Sequence, residues 1–279
     1  RNHTTFRVGG PAEFFVQPKT AEEVQGLVGL CKEREIPYYI VGNGSNLLVG
    51  DKGFRGAIIQ LYKSMGTFQV EGNQITAQAG CSLAQIANAA LDAALTGFEF
   101  AAGIPGTLGG AVVMNAGAYG GEMKDVLTSV RVMTEEGEIM ELPAEELGLG
   151  YRTSIIPEKR YIVLGAVISL TEGKKEEIKA QMDDLRQKRV SKQPLEYPSA
   201  GSTFKRPEGY FAGKLIQDSG LKGFTVGGAQ VSEKHSGFVI NKGNATAADV
   251  MELIRQVTAK VKEDTGVTME PEVKQIGEF

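Results

Sequence analysis

Residues 101–121, AAGIPGTLGGAVVMNAGAYGG, limit the fold more than any other segment, because glycine is a poor helix former. We predict that this segment is mostly loop. A shorter glycine turn, Val41-Gly-Asn-Gly-Ser-Asn46, follows the apolar run Tyr38-Tyr-Ile-Val41, which is typical of a buried strand. Backbone N–H groups in such turns favour anionic oxygens, and the missing side chains allow close approach. One such loop is equally well explained as a tight strand connection, whereas two favour a phosphate-bearing ligand.

Familiar motifs for other chemistries are missing. Neither glycine loop contains GxGxxG or GxxxxGK[ST], so Rossmann and P-loop sites are not indicated. The chain has 2 histidines, His3 and His235, and no nucleophile elbow, which leaves little material for a Ser-His-Asp hydrolase or a histidine-rich metal site. We therefore expect no metal.

Length and composition indicate a globular protein with two domains. The chain has 279 residues, more than one hydrophobic core usually holds. No apolar run approaches the ~20 residues that span a bilayer. The net charge of -4 gives no support to a nucleic-acid surface, although a local basic pocket for a phosphorylated small molecule stays open.

The two cysteines and the first residue bear on cellular location. Cys31 falls on the apolar face of an expected helix and Cys81 is far away in sequence, so we expect buried free thiols and a cytoplasmic protein. The chain opens with Arg1 rather than Met, so we expect native N-terminal sequence to be missing.

Hydrophobic periodicity, caps and turn residues predict alternating helices and strands. Helices are expected at about 20–35 behind the capping box Thr20-Ala-Glu-Glu23, at 82–95, 174–189 and 211–219, and from Thr246 to Gly266. Strands are expected at 38–41, within 47–61, in a hairpin at 126–142 turned at 135–137, at 161–170, and as a pair near 225–240. Residues 193–198, QPLEYP, form an expected linker between two domains.

Residues 198–241 place Ser202 in a turn among several cations and two glycine turns, as a surface that binds anions would. This segment resembles the substrate-domain signature of the UDP-N-acetylenolpyruvoylglucosamine reductases, flavoenzymes of peptidoglycan precursor synthesis. Segments that resemble the same family, in the same order, are NHTTFRVGG at 2–10, VGNGSNLL at 41–48, GIPGTLGGAVVMNAGAYGGE at 103–122, GYRTS at 150–154 and MEPEVKQIG at 269–277. Together they extend over nearly the whole chain.

The resemblance implies an α+β fold: a two-lobed FAD-binding domain of the vanillyl-alcohol-oxidase-like (PCMH) type, plus a smaller α+β substrate-binding domain. The implied boundaries are 1–191 for the FAD-binding domain, with lobes at about 1–64 and 65–191, then 192–265 for the substrate-binding domain. Residues 266–279 would form a tail that returns to the active site, and the opening segment would put the first strand beside the cofactor.

The resemblance also implies noncovalent FAD as cofactor and NADPH as reductant. The residues that it assigns to the flavin are Val41, Gly42, Asn43, Gly44, Ser45, Asn46, Leu47, Ala79, Gly80, Gly103, Ile104, Pro105, Gly106, Thr107, Gly109, Gly110, Asn115, Ala116 and Gly117.

Three residues match the catalytic positions of the family. Arg152 of GYRTS would hold the substrate carboxylate and stabilise enolate charge, and Ser202 would give a proton to C2. Glu272 of MEPEV, rather than Glu270, would complete the group. The expected substrate contacts are Tyr151, Lys205, Arg206, Lys214, Lys222, His235 and Asn241. Arg206 stands where many relatives have Asn, and His235 where some have Gln.

The implied reaction reduces an enolpyruvyl ether of UDP-N-acetylglucosamine to UDP-N-acetylmuramate, with hydride delivered to C3 and a proton to C2. No insert between Arg152 and Ser202 resembles the tyrosine-bearing loop of the longer subgroup, so the chain resembles the shorter, type II subgroup. We expect a monomer acting on a small sugar nucleotide, without nucleic acid or membrane. Two alternatives remain: an oxidoreductase of this fold with another sugar or alcohol as substrate, and a flavin- or nucleotide-sugar-binding regulator without turnover.

Overall fold

The structure is a computed structural model that describes residues 1–279 and contains six α-helices and eighteen β-strands. The helices are α1 Ala21–Glu33, α2 Leu83–Asp92, α3 Leu108–Val113, α4 Lys175–Lys192, α5 Ala212–Asp218 and α6 Ala247–Thr265. The strands are β1 Ala12–Val16, β2 Tyr38–Val41, β3 Leu47–Val49, β4 Phe54–Gln60, β5 Phe68–Glu71, β6 Gln74–Gln78, β7 Leu95–Thr96, β8 Gly117–Ala118, β9 Gly121–Glu122, β10 Leu127–Met133, β11 Ile139–Pro143, β12 Ile162–Ser169, β13 Thr171–Glu172, β14 Ser199–Ser202, β15 Thr225–Val226, β16 Ala229–Val231, β17 Phe238–Asn241 and β18 Lys274–Ile276.

The chain divides into two compact units, each with its own hydrophobic core. Unit 1 consists of residues 1–13, 44–56 and 190–279. Unit 2 consists of residues 14–43 and 57–189. The cut after residue 43 falls inside the first glycine turn, so the two halves of that turn belong to different units.

Unit 2 is built around a five-stranded antiparallel sheet with the order β11-β10-β12-β6-β5. The central strand β12 is buried along most of its length, and α3 packs against it, which explains its nearly continuous apolar sequence. A further sheet, made largely of unit 2 residues, has the order β1-β4-β2, with β2 and β4 parallel. Helix α1 begins at its Thr20 cap and buries Val24, Val28 and Cys31.

Unit 1 contains a four-stranded antiparallel sheet, β14-β17-β16-β15, and helix α6 packs on β15 and β16. The capping box of Thr246 and Asp249 begins α6, and Gly266 ends it in a left-handed conformation with φ 75°. Its buried face consists of the expected apolar residues Val250, Leu253, Ile254, Val257 and Val261. The C-terminal strand β18 pairs in parallel with β3.

Most expected elements are present, and the differences occur at glycine-rich or tightly turned segments. The expected hairpin at 126–142 is confirmed as β10 and β11. Helix α2 ends at Asp92 rather than near Leu95, because Ala94 adopts a positive φ of 56° and breaks the helical path. The expected pair near 225–240 is three short strands, β15 to β17.

One expectation needs correction, and another is confirmed with additions. Residues 2–10 form no strand; the first strand, β1, begins at Ala12, because Arg7 (φ 56°) and Gly9 (φ 98°) turn the chain before it. Residues 101–121 are mostly irregular as expected, but they also contain the six-residue helix α3 and the short hairpin of β8 and β9.

Both cysteines are free and buried, as expected. Burial raises the pKa of the Cys81 thiol to about 11, so this thiol is protonated at neutral pH. None of the helices combines the length and the apolar character that crossing a membrane requires.

Asp51 joins the segment after β3 to the start of α6 within unit 1. Its two carboxylate oxygens accept hydrogen bonds from the backbone N–H groups of Ala247 at 2.8 Å and Ala248 at 2.9 Å. These N–H groups have no partner inside the helix, and the helix N-terminus carries partial positive charge. The carboxylate therefore caps α6 from a distant part of the sequence.

We expect Asp51→Ala to lower the free energy of unfolding of unit 1 by about 1 kcal/mol, the usual cost of losing a helix cap. Urea denaturation followed by circular dichroism measures the change. Asp183→Ala, which removes an exposed carboxylate from α4, serves as the control and should leave the transition unchanged. An unchanged transition for Asp51→Ala as well would show that the cap contributes nothing to stability.

Candidate functional site

The unit 2 part of the first glycine turn is held by buried side chains. Gln60, only 4% exposed, donates from Nε2 to the Gly42 carbonyl at 3.2 Å and accepts from Gln17 at 3.0 Å. A Cβ on Gly42 would collide with the Thr107 hydroxyl, so the turn needs glycine there for packing alone. Asn43 donates from Nδ2 to the Pro105 carbonyl at 2.9 Å, which ties the first glycine loop to the second.

The second glycine loop is tied to residues 79–83. The Leu108 N–H donates to the Cys81 carbonyl and the Gly109 N–H to the Ala79 carbonyl, both at 2.9 Å. A Cβ on Gly80 would collide with the Leu61 carbonyl, and one on Gly109 would stand 3.0 Å from the Ala79 Cβ. The structure therefore brings together residues 41–43, 79–80 and 103–110, which contain most of the positions that the family resemblance assigns to the flavin.

Gly110 differs from these packed glycines. It lies in α3, is exposed, and a Cβ there would meet only the Thr107 hydroxyl at an ordinary 3.7 Å. Alanine is about 1 kcal/mol better than glycine inside a helix, so the protein itself gives no reason for glycine here. An open position beside the loops fits a ligand that approaches the backbone closely.

Several residues assigned to the flavin are buried, so their side chains pack in the protein. Val41, Leu47, Ala79, Thr107 and Ala116 are all less than 9% exposed. In the unit 1 part of the turn, Gly44 has φ 64° and its carbonyl accepts from the Thr5 N–H at 3.2 Å. Other residues assigned to the flavin are half-buried: Ser45, Asn46, Ile104, Gly106 and Gly117.

Asn115 is fully buried, and the protein uses its whole side-chain amide. Its Nδ2 donates to the Glu122 carboxylate at 2.7 Å and to the Gly150 carbonyl at 3.0 Å, while its Oδ1 accepts from the Lys124 N–H at 2.9 Å. The amide therefore anchors the turn that carries Arg152, a connection that the sequence does not reveal.

Arg152 lies at a strained position in that turn. Gly150 and Thr153 exchange both backbone hydrogen bonds, at 3.2 and 3.3 Å, so Tyr151 and Arg152 form a two-residue hairpin loop. Arg152 has φ 54°, where glycine is preferred. Its guanidinium stacks 5.2 Å from the Tyr151 ring centroid, and its Nη2 donates to the Gly117 carbonyl at 3.4 Å. Tyr151 is 56% exposed.

Ser202 and Glu272 lie on adjacent segments of unit 1. Ser202 is exposed at the end of β14, after Gly201 (φ 76°) and an irregularity in the pairing with β17 that changes which side chains face outward. The Glu272 N–H donates to the Thr203 carbonyl at 2.7 Å, and Asn46 Nδ2 donates to the Glu272 carbonyl at 3.3 Å.

Glu270 has a different partner from Glu272. Its carboxylate pairs with Lys205 Nζ at 3.0 Å, and its carbonyl accepts from the Lys205 N–H at 2.9 Å. Glu272, two residues further along, is half-buried.

The remaining expected substrate residues of unit 1 differ in their exposure and in their hydrogen-bond or ion-pair partners. Arg206 donates from Nε to the Tyr210 carbonyl at 3.2 Å and stacks 4.0 Å from the Phe211 centroid. Lys214 pairs with Asp218 at 2.7 Å along α5, and Lys222 is exposed. Burial lowers the pKa of the His235 imidazole, whose Nδ1 accepts from the Gly237 N–H at 3.1 Å.

The Asn241 side chain stabilises the turn that follows it in the sequence. It is 9% exposed, donates to the Phe6 carbonyl at 3.3 Å and accepts from Gly243 and Ala245 at 3.1 Å. The sequence analysis did not include Phe211, which is 61% exposed beside Arg206. The signal for it was the aromatic pair Tyr210-Phe211, which follows the turn at Gly209.

Family models match both parts of the chain. One described as FAD binding domain matches residues 12–143, and one described as UDP-N-acetylenolpyruvoylglucosamine reductase, C-terminal domain, matches residues 193–276. These matches confirm the expected α+β flavoprotein fold and FAD as cofactor.

Similar proteins extend over the full chain. The UDP-N-acetylenolpyruvoylglucosamine reductases of Agathobacter rectalis and Caldanaerobacter subterraneus subsp. tengcongensis are both 56% identical, covering 100% of this chain and 92% of each relative. The crystal structure of the reductase from Thermus caldophilus superposes with a TM-score of 0.85 at 40% identity, covering 99% of this chain and 96% of that one. Identity at this level over the whole length shows that the chain belongs to the UDP-N-acetylenolpyruvoylglucosamine reductase family.

Proposed function

We propose that this protein reduces the enolpyruvyl ether of UDP-N-acetylglucosamine to UDP-N-acetylmuramate, a step of peptidoglycan precursor synthesis, with NADPH as reductant. The observation that carries the proposal is the pairing of the Glu272 and Ser202 segments, where the Glu272 N–H donates to the Thr203 carbonyl at 2.7 Å. Ser202 and Glu272, which are far apart in sequence, therefore lie on adjacent segments. Ser202 is exposed and Glu272 is half-buried. The decisive assay is NADPH consumption that depends on the enolpyruvyl sugar nucleotide.

The glycine loops of unit 2 are the proposed flavin site. Bound FAD supplies the two-electron relay between NADPH and the carbon–carbon double bond. Residues 41–43, 79–80 and 103–110 present backbone N–H groups and small side chains, which suit a diphosphate and a flat ring. The open position at Gly110 supports this assignment.

Ser202 is the proposed proton donor to C2 of the substrate. The positive φ of Gly201 and the irregular pairing before Ser202 leave its hydroxyl exposed rather than packed against β17. A serine hydroxyl is a weak acid, so its neighbours must favour proton transfer. Glu272 is the proposed acidic partner, whereas the neighbouring Glu270 pairs with Lys205 at 3.0 Å.

Arg152 is the proposed cation for the substrate carboxylate and for the negative charge that develops during reduction. The guanidinium fork suits a carboxylate, and its value is greatest when it is held in place before reaction. The Gly150–Thr153 hairpin and the Asn115 amide restrain the backbone on which it sits. Arg152 has φ 54°, a conformation that fixes the direction in which its side chain leaves the hairpin loop.

The cations of residues 205–235 and the Tyr151 ring are the proposed contacts for the diphosphate, uracil and sugar. Arg206 and Lys222 are exposed, and the Arg206 guanidinium lies on the exposed Phe211 ring. The proposed domains remain residues 1–191 for FAD, 192–265 for the substrate and 266–279 as a catalytic tail, although residues 1–13 and 44–56 pack in unit 1 together with residues 190–279. The tail's pairing with β3 and with the segment after Ser202 supports the last of these assignments.

We also propose that the protein works as a cytoplasmic monomer, without a nucleic-acid or membrane partner. The two buried free thiols suit a reducing compartment. Light scattering of the purified protein tests the oligomeric state.

Gly110→Ala is expected to leave the protein as stable as wild type or slightly more stable, while it lowers the amount of bound FAD. The added methyl group has space in the protein but would occupy the ligand's approach to α3. Thermal unfolding and bound flavin per protein measure the two effects. Gly29→Ala, also at an open helical glycine but on α1, is the control and should keep its flavin. Full flavin occupancy in Gly110→Ala would remove Gly110 from the cofactor site.

Arg152→Lys is expected to lower turnover roughly 10²- to 10³-fold, because it keeps the charge but loses the planar fork. Flavin content should change little. The control is Arg160→Lys, since Arg160 has a similar φ of 53° and an exposed ion pair with Glu135. Steady-state rates that stay near wild type in Arg152→Lys would mean that Arg152 is an ordinary surface cation.

Ser202→Ala is expected to separate the two stages of the reaction. Under anaerobic conditions, the absorbance change on adding NADPH should keep its wild-type rate, because it needs no proton from Ser202. The second change, on adding the enolpyruvyl sugar nucleotide, should slow about 10²-fold or more. Ser199→Ala on the same strand is the control. A second stage as fast as wild type would identify another donor, and equal slowing of both stages would make Ser202 structural.

A further inference from the structure

Arg189, near the end of α4, lies against the second glycine loop of unit 2. A Cβ built on Gly103 would stand 3.1 Å from Arg189 Cδ and 3.4 Å from Nη1. Side chain and loop therefore touch through the bare backbone of Gly103. A Cβ at position 103 would crowd the Arg189 side chain by a few tenths of an ångström, so glycine allows the closest approach.

The Arg189 guanidinium has no anionic partner in the protein. Neither a hydrogen bond nor an ion pair of the structure includes it, whereas neighbouring Lys188 pairs with Asp184 at 2.7 Å. Burial lowers the pKa of the Arg189 guanidinium, and the nearby group that opposes this effect is the Tyr119 phenol rather than a carboxylate. A partly desolvated charge without a counter-ion is unfavourable. The position is thus suited to an anion from outside the chain.

The surroundings indicate which anion. Asn43 donates to the Pro105 carbonyl at 2.9 Å, so Arg189 contacts the loop that is tied directly to the first glycine turn. Both loops offer backbone N–H groups, which favour phosphate oxygens. The planar guanidinium can bind two phosphate oxygens at once.

We propose that Arg189 is the counter-cation of the FAD diphosphate, a role that rests on the proposed flavin function of unit 2. The ion pair between Arg189 and the diphosphate would connect the end of α4 to the cofactor. Gly103 favours this contact because it has no side chain between the guanidinium and the loop.

The test compares FAD with riboflavin, which has the same ring system but no phosphate. The full chain is stripped of flavin, and dissociation constants are measured by quenching of flavin fluorescence for wild type, Arg189→Gln and Arg189→Lys. Arg186→Gln removes an exposed arginine one turn earlier on α4 and is the matched control. Thermal unfolding of each unliganded variant reports whether the fold is retained.

For Arg189→Gln we expect FAD to bind roughly 10- to 100-fold more weakly, the loss typical of a hydrogen bond to a charged group. Riboflavin affinity should stay within about 2-fold, since it lacks the anion. Arg189→Lys should recover part of the FAD affinity, and added salt should weaken FAD binding to wild type more than to Arg189→Gln.

Three results would overturn the inference: unchanged FAD affinity in both Arg189 variants, equal weakening of FAD and riboflavin, or a loss confined to the KM of the sugar nucleotide. The last would assign Arg189 to the substrate diphosphate. Failure of wild type to bind FAD would instead reject the proposed function itself. If Arg189→Gln did not fold, the FAD and riboflavin affinities of Arg189→Lys would decide.

Discussion

The pairing of the C-terminal tail inside unit 1 is the interaction on which the catalytic assignment depends. The Glu272 N–H donates to the Thr203 carbonyl at 2.7 Å, and Asn46 contacts the same tail from the other side, accepting from the Lys274 N–H at 3.0 Å. These are main-chain or amide contacts, and they set the backbone position of Glu272. The buried side chains of Met269 and Val273 hold the same segment in the unit 1 core.

The glycines of this chain divide into two physical groups. Gly42, Gly80 and Gly109 are required because neighbouring protein atoms occupy the space of a side chain. Gly110 has no such neighbour, and Gly103 faces only a movable arginine. Glycines of the first group position the loops, Gly103 allows the Arg189 side chain to lie against its loop, and Gly110 leaves space that the protein does not fill. This difference is the physical basis for placing a ligand at the loops.

The two units support their site residues in different ways. In unit 2 helix α3 packs on the antiparallel strands β12 and β6. Its site residues lie on turns whose carbonyls are held by buried amides such as Gln60 and Asn115. Unit 1 has a smaller sheet, and an irregular strand end exposes Ser202. In both units a rigid scaffold supports loops that carry the polar groups, the usual arrangement in enzymes.

The sequence by itself determined the elements that depend on neighbouring residues. Helices α1 and α6 were predictable from capping residues and 3.6-residue periodicity, and the hairpin of β10 and β11 from its turn, because these signals act within a few residues. The glycine and catalytic motifs identified the family. Only the tertiary structure decided that Asn115 anchors the Arg152 turn, that Asp51 caps α6 and that Arg189 meets Gly103. Those contacts join residues far apart in the chain, and their partners are set by strand register and packing, which no local pattern encodes.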